Sequence, residues 1–156
     1  MTADVQVPKR ARIETLKRLA SHTEAENARR LAERLRALDT EERRLLQIHT
    51  YLAEYAQPKD GHPGSMTIGG LRSSRGFLER LRSAVDDQRG AVETQRHQVE
   101  QQTQQWQAAR ARTRSLEKFG ERLGQQDQDR RNRREQARLD EIARRPGNPR
   151  DQNRGS

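Results

Sequence analysis

The sequence predicts an all-α protein: a long antiparallel two-helix coiled-coil hairpin in which the second helix is the longer. Three observations carry this. Hydrophobic residues make up 29% and aromatic residues 3% of the 156 residues, too few large apolar side chains for a sandwich, a barrel or an α/β core. Leucine and valine recur every seventh residue on either side of one cluster of helix breakers. The residues in greatest supply are Arg, Gln, Glu, Leu and Ala, which lose little rotamer freedom in a helix.

The first helix is expected from Lys9 to Ala56, because nothing in that span breaks it and Pro8 suits a first helical turn. Within it Leu31, Leu38, Leu45 and Leu52 repeat every seven residues, and Leu35, Ile48 and Tyr55 fill the intermediate spacing. The breaker cluster "QPKDGHPGSMTIGG", Gln57 to Gly70, holds two prolines and four glycines and is read as the turn over 57–70. Ser65 and Thr67 are candidate N-caps for the second helix.

That helix runs on to about Arg145, and its interior glycines Gly76, Gly90, Gly120 and Gly124 each cost about 1 kcal/mol relative to Ala. Leu78, Val85, Val92, Val99 and Trp106 form one sevenfold line; Leu81, Gln88, Gln95, Gln102, Ala109, Leu116 and Leu123 form the other. Glutamine thus interrupts the seam through its middle, which lowers stability and helps set register and partner number. Folding about Gly61–Gly64 brings Tyr55 near Leu71 and Leu31 near Gln95, and leaves the second helix unpaired from near Leu116, with Phe119 and Leu123 on the overhang. At about 1.5 Å per residue the two helices are roughly 70 and 120 Å long. Residues 1–8 and 146–156, the latter within "RRPGNPRDQNRGS", are expected to be a flexible N-terminus and a disordered tail around the hairpin of 9–145.

No apolar run reaches the roughly 20 residues needed to cross a bilayer, and "MTADVQVPKRAR" lacks the apolar stretch of a signal peptide, so a cytoplasmic protein is expected. The absence of cysteine excludes disulfides, cysteine nucleophiles and thiolate metal sites. A net charge of +9 suggests an acidic partner. The excess is +2 over residues 1–60, +4 over 61–120 and +3 over 121–156, spread along the chain rather than gathered in one arm.

Little in the sequence suggests catalysis. His22, His49, His62 and His97 never fall three or four apart, so no two imidazoles share a helical face, and no metal or other cofactor is expected. The pairs Asp86–Asp87 and Glu41–Glu42 point away from each other on a helix and read as solvated faces. "GHPGSMTIGG" lacks the lysine of a phosphate loop. A helical pair offers no deep pocket in which to desolvate an acid or base, so the chain is expected not to be an enzyme and to have no small-molecule substrate.

Two surface features remain. "RRNRREQAR", Arg130 to Arg138, superficially resembles the basic region of a zipper transcription factor, but there the basic region precedes its zipper. Here it comes after the heptads and is interleaved with Asp127, Asp129, Glu135, Asp140 and Glu141, a pattern that suits intrahelical ion pairs more than a phosphate track. Nucleic-acid binding is therefore the alternative rather than the leading reading. The second feature is the stripe Phe77, Leu81, Ala84 and Gln88, at i, i+4, i+7 and i+11. Phe77 either closes the hairpin end against Tyr51 or Tyr55, or anchors another protein.

In the order and identity of its motifs the chain resembles the FliJ family of flagellar type III export proteins and its injectisome counterpart, the YscO-like stalk proteins. The features are "YLAEY" at Tyr51–Tyr55, a glycine-containing turn, "FLERLRSAVDDQ" at Phe77–Gln88, Trp106, and "REQARLDEIARR" near the C-terminus. The resemblance implies a component of the bacterial flagellar export apparatus, serving motility and chemotaxis. It would act as a central stalk or adaptor of the hexameric export ATPase FliI, contact the regulator FliH, bind the export gate FlhA and escort export chaperones. An injectisome stalk is the alternative within that resemblance. It also implies peripheral association with the inner membrane at the flagellar base, and it places the gate-binding face on Phe77, Leu81, Ala84 and Gln88.

Overall fold

The computed structural model describes residues 8–56 and 68–145, apart from the side chains of residues 68, 69, 71 and 73. It consists of two helices, α1 (Lys9–Ala56, 48 residues) and α2 (Ile68–Arg144, 77 residues), packed against each other. Pro8 precedes α1, and its carbonyl accepts hydrogen bonds from the amides of Ala11 (2.9 Å) and Arg12 (3.2 Å), so the missing proline N–H costs nothing where an intrahelical partner would be lacking anyway. Of the expected turn over 57–70, residues 68–70 belong to α2; residues 57–67, with Ser65 and Thr67, lie outside the described residues, as do 1–7 and 146–156.

The described residues fall into two compact units. One is built from Ala20–Arg112, the other from the start of α1 up to Leu19 and the part of α2 from Thr113 onward. In the first unit Asn27 meets Gln102 and, two heptads on in α1, Glu41 meets Gln88, two heptads back in α2. Equal steps in opposite directions define antiparallel pairing. The heptad lines of α2 are the buried face: Val85, Val92 and Gln102 are buried, and Leu78, Leu81, Gln88, Gln95, Val99, Trp106 and Ala109 are half-buried. In α1 the half-buried line Leu31, Leu38, Leu45 and Leu52 is as the periodicity predicts.

Leu35 departs from that expectation, being 48% exposed. The second line of α1 runs from the half-buried Ile48 back through Glu41 and Asn27, also half-buried, with the exposed Arg34 between them at the rim; Leu35 lies off this line. The register differs as well. Asn27 meets Gln102, whereas the sequence-based fold would set it beside Val99; Tyr55 packs on Phe77, and the Leu71 side chain expected near it lies outside what is described. Heptads choose the face of each helix; the polar pairs choose which turn faces which.

In the second unit Ile13 is buried and lies beside Gly120, where an added Cβ would stand 3.4 Å from Ile13 Cγ2 and 2.8 Å from Lys17 Cε. Lys9 and Arg10 share a surface depression with Leu123, Gln126, Asp127 and Arg130. Pairing therefore extends well past Leu116, and Leu123 faces the start of α1 instead of standing on an overhang. Residues 128–145 are all exposed. The side-chain contacts there are Gln128 to Asn132 (3.3 Å) and Gln136 to Asp140 (3.4 Å), in place of the intrahelical ion pairs expected.

Gly90 and Gly124 have nothing within 4 Å of an added Cβ. Each is a helix-interior glycine that neither packing nor backbone requires. Gly90→Ala and Gly124→Ala should each stabilise by about 1 kcal/mol, raising the thermal midpoint by about 3 °C. Gly120→Ala has to displace the Lys17 ammonium, which pairs with Glu14 at 3.5 Å, and should gain less. Thermal melts followed at 222 nm check the ordering.

Candidate partner-binding site

The stripe singled out in the sequence lies wholly within the unit Ala20–Arg112. Phe77 sits one position before the Leu78 seam line, so its ring reaches the edge of the pair. There it meets Tyr55 edge-to-face, with ring centroids 4.8 Å apart and planes at 65°, a geometry that places a positive ring edge on a negative face. The contact leaves Phe77 38% and Tyr55 51% exposed. With Gly70, Ser74 and Arg80 the two rings line a shallow surface cavity. The Arg80 side chain turns back, Nε donating to the carbonyl of Gly76 at 3.3 Å, so its charge borders the aromatic patch.

Further along, Leu81 and Ala84 are half-buried. Gln88 looks inward: its Nε2 donates to the backbone carbonyl of Glu41 at 3.0 Å and to the Glu41 carboxylate at 2.5 Å. The structure therefore puts Phe77 on the surface, Leu81 and Ala84 at its margin and the Gln88 amide in the seam. An aromatic ring already held in place by a neighbour loses little freedom when a second protein covers it, which is what an anchor requires.

A set of polar contacts that heptad periodicity does not assign stabilises this region. Gln102 Nε2 donates to Asn27 Oδ1 (3.0 Å) and O (3.4 Å), and Asn27 in turn donates to the Thr23 carbonyl at 2.9 Å. Arg34 Nη1 donates to Gln98 Oε1 at 2.6 Å, and Arg96 pairs with Glu42 at 3.4 Å across the rim. The glutamine line of α2 is visible in the heptads; its partners Asn27 and Glu41 escape a search for apolar residues, although they lie on the sevenfold line of Ile48 and Tyr55. Trp106 is half-buried, with the Arg110 guanidinium 5.2 Å from its ring centroid.

His22 and His97 are exposed, His49 is half-buried and His62 lies outside the described residues. Among the described residues no group of three His, Cys, Asp or Glu is placed to hold a metal ion, and no helix is long and apolar enough to cross a membrane.

Fold and surface together define a two-helix coiled-coil protein with an aromatic pair at the edge of its seam. The family model of the flagellar FliJ protein matches residues 9–150, and the chain belongs to that family. It is thereby a FliJ-type component of the flagellar export apparatus, from a family of structural and adaptor proteins. No curated protein and no solved structure matches the chain.

Proposed function

We propose that the protein is a stalk and adaptor of flagellar protein export: it couples the hexameric export ATPase FliI to the export gate FlhA, contacts the regulator FliH and escorts export chaperones. In this reading it stimulates its partner ATPase, works in the cytoplasm and reaches the inner membrane only through the export apparatus. Phe77, Leu81, Ala84 and Gln88 form the gate-binding face. Phe77 contributes the anchor and Leu81 and Ala84 the apolar margin, while Gln88 acts by holding α2 to Glu41. The observation that carries the gate assignment is the Phe77 ring, held edge-to-face by Tyr55 yet more than a third exposed, with Leu81 and Ala84 half-buried along the same stripe.

Co-purification tests the stalk role. The tagged full chain should retain a hexameric ATPase from motile cells and raise its turnover when the two are mixed. Failure to retain or stimulate that ATPase, together with tight binding to random-sequence duplex DNA that falls steeply with salt, would replace the stalk reading with a nucleic-acid one.

A further inference from the structure

The three seam glutamines of α2 are not equivalent. Gln88 and Gln102 each reach across to a backbone carbonyl and a side-chain oxygen of α1, on Glu41 and Asn27 respectively. Gln95 lies one heptad from each, and its Oε1 is buried without a hydrogen-bond partner among the described residues. The residue one heptad from both Asn27 and Glu41 is Arg34. Its guanidinium is the donor that this register brings to the middle position, yet it lies at the rim, donating to Gln98 Oε1 at 2.6 Å. Gln98 stands three residues beyond Gln95, one turn along the same helix, so both acceptors face the same stretch of α1.

We propose that Arg34 is a donor with two seats, Gln98 at the rim and Gln95 Oε1 in the seam, and that its exchange between them is a conformational device built into the helical pair. The energetics favour near-balance. Arg34 makes one charge-assisted hydrogen bond in either seat, so the difference is the penalty of an unpaired buried acceptor against that of partly desolvating a guanidinium, two costs of similar scale. Arg34 at the rim keeps its charge hydrated and leaves Gln95 unpaired; Arg34 in the seam satisfies Gln95 at the expense of hydration and releases Gln98 to water. Gln88 and Gln102, each holding α1 by two acceptors, keep the register fixed on both sides. The exchange is therefore a movement of one side chain and a local loosening of the pair, with no sliding of α2 along α1.

A double-mutant cycle in the full-length chain tests this. If one donor serves both seats, removing either acceptor leaves the other, so Gln95→Leu and Gln98→Ala should be coupled through Arg34 although no hydrogen bond joins the two side chains. The expected coupling is about fivefold in the folding constant, and it should vanish in an Arg34→Ala background. Side-chain amide relaxation dispersion at Gln95 and Gln98 should show microsecond-to-millisecond exchange that Arg34→Ala abolishes. Additive effects in the Arg34 background, or coupling that survives Arg34→Ala, would overturn the proposal. Helix content at 222 nm confirms that each variant is folded; were Gln95→Leu to unfold, Gln95→Met provides the same corner of the cycle.

Discussion

Replacing Val92 by Asp should lower stability by about 4 kcal/mol, the scale of burying an unpaired charge, and the melting midpoint by about 10 °C or more. Val92 is 3% exposed and among the few buried apolar residues of a seam that glutamine interrupts on both sides. A carboxylate there is taken out of water, a cost that partial pairing to Arg89 or Arg96 on the same helix offsets only in part. The control is Leu46→Asp. Leu46 is larger and more apolar, yet 67% exposed, so its change should stay within about 0.5 kcal/mol. Equal losses at the two positions in thermal melts would mean that the seam is not where Val92 lies.

The second large effect concerns binding. Phe77→Ala should abolish association with the cytoplasmic part of the export gate, a loss of at least about 30-fold if the ring is a hot spot, while the helical signal is retained. The same substitution removes the aromatic contact with Tyr55, worth about 1 kcal/mol beyond its area. Tyr55→Ala separates the two roles, because it deletes the same contact and leaves the anchor in place. Calorimetric titration should find gate binding lost in Phe77→Ala and weakened only severalfold in Tyr55→Ala, where the ring remains but is no longer braced. Retention of binding by Phe77→Ala would remove the assignment, and equal loss in both would make the ring pair a purely structural clasp.

Much of this architecture is legible in the sequence because a two-helix seam is written in one dimension. The α2 lines through Leu78 and Leu81 are half-buried or buried wherever described, and α1 begins and ends where Pro8 and the breaker cluster indicate. The departures have physical causes. Leu35 looks like core because it is apolar, yet Arg34 occupies that line; hydrophobicity does not report which of two neighbouring residues faces the partner. The overhang is misplaced for the same reason of register, since nothing in a heptad states which turn of α1 meets which turn of α2. For the candidate site, the stripe itself is readable from helical spacing. The seam position of Gln88 is readable from its heptad line; its hydrogen bonds to Glu41 are not, because they depend on which turn of α1 faces it.

The polar seam also links stability to the proposed role. A pair held by Asn27–Gln102 and Glu41–Gln88 gives up some cohesion relative to leucine at those positions, but it rejects alternative registers that would leave those amides unpaired. Exposed ion pairs such as Arg43–Asp39 (2.9 Å) add only a few tenths of a kcal/mol each and mainly keep the outer faces polar. Outer faces of that kind, with one braced aromatic ring, suit a protein that engages several partners in turn.

The antiparallel register fixed by glutamine is the claim on which the rest depends, and a cysteine-free chain is well suited to testing it. In the double variant Asn27→Cys/Gln102→Cys, mild oxidation at low protein concentration should produce an intramolecular disulfide in monomeric chains, with far less in Asn27→Cys/Val99→Cys. Preferential crosslinking of the 27/99 pair, or crosslinks found only between chains, would contradict the register and with it the placement of every seam residue.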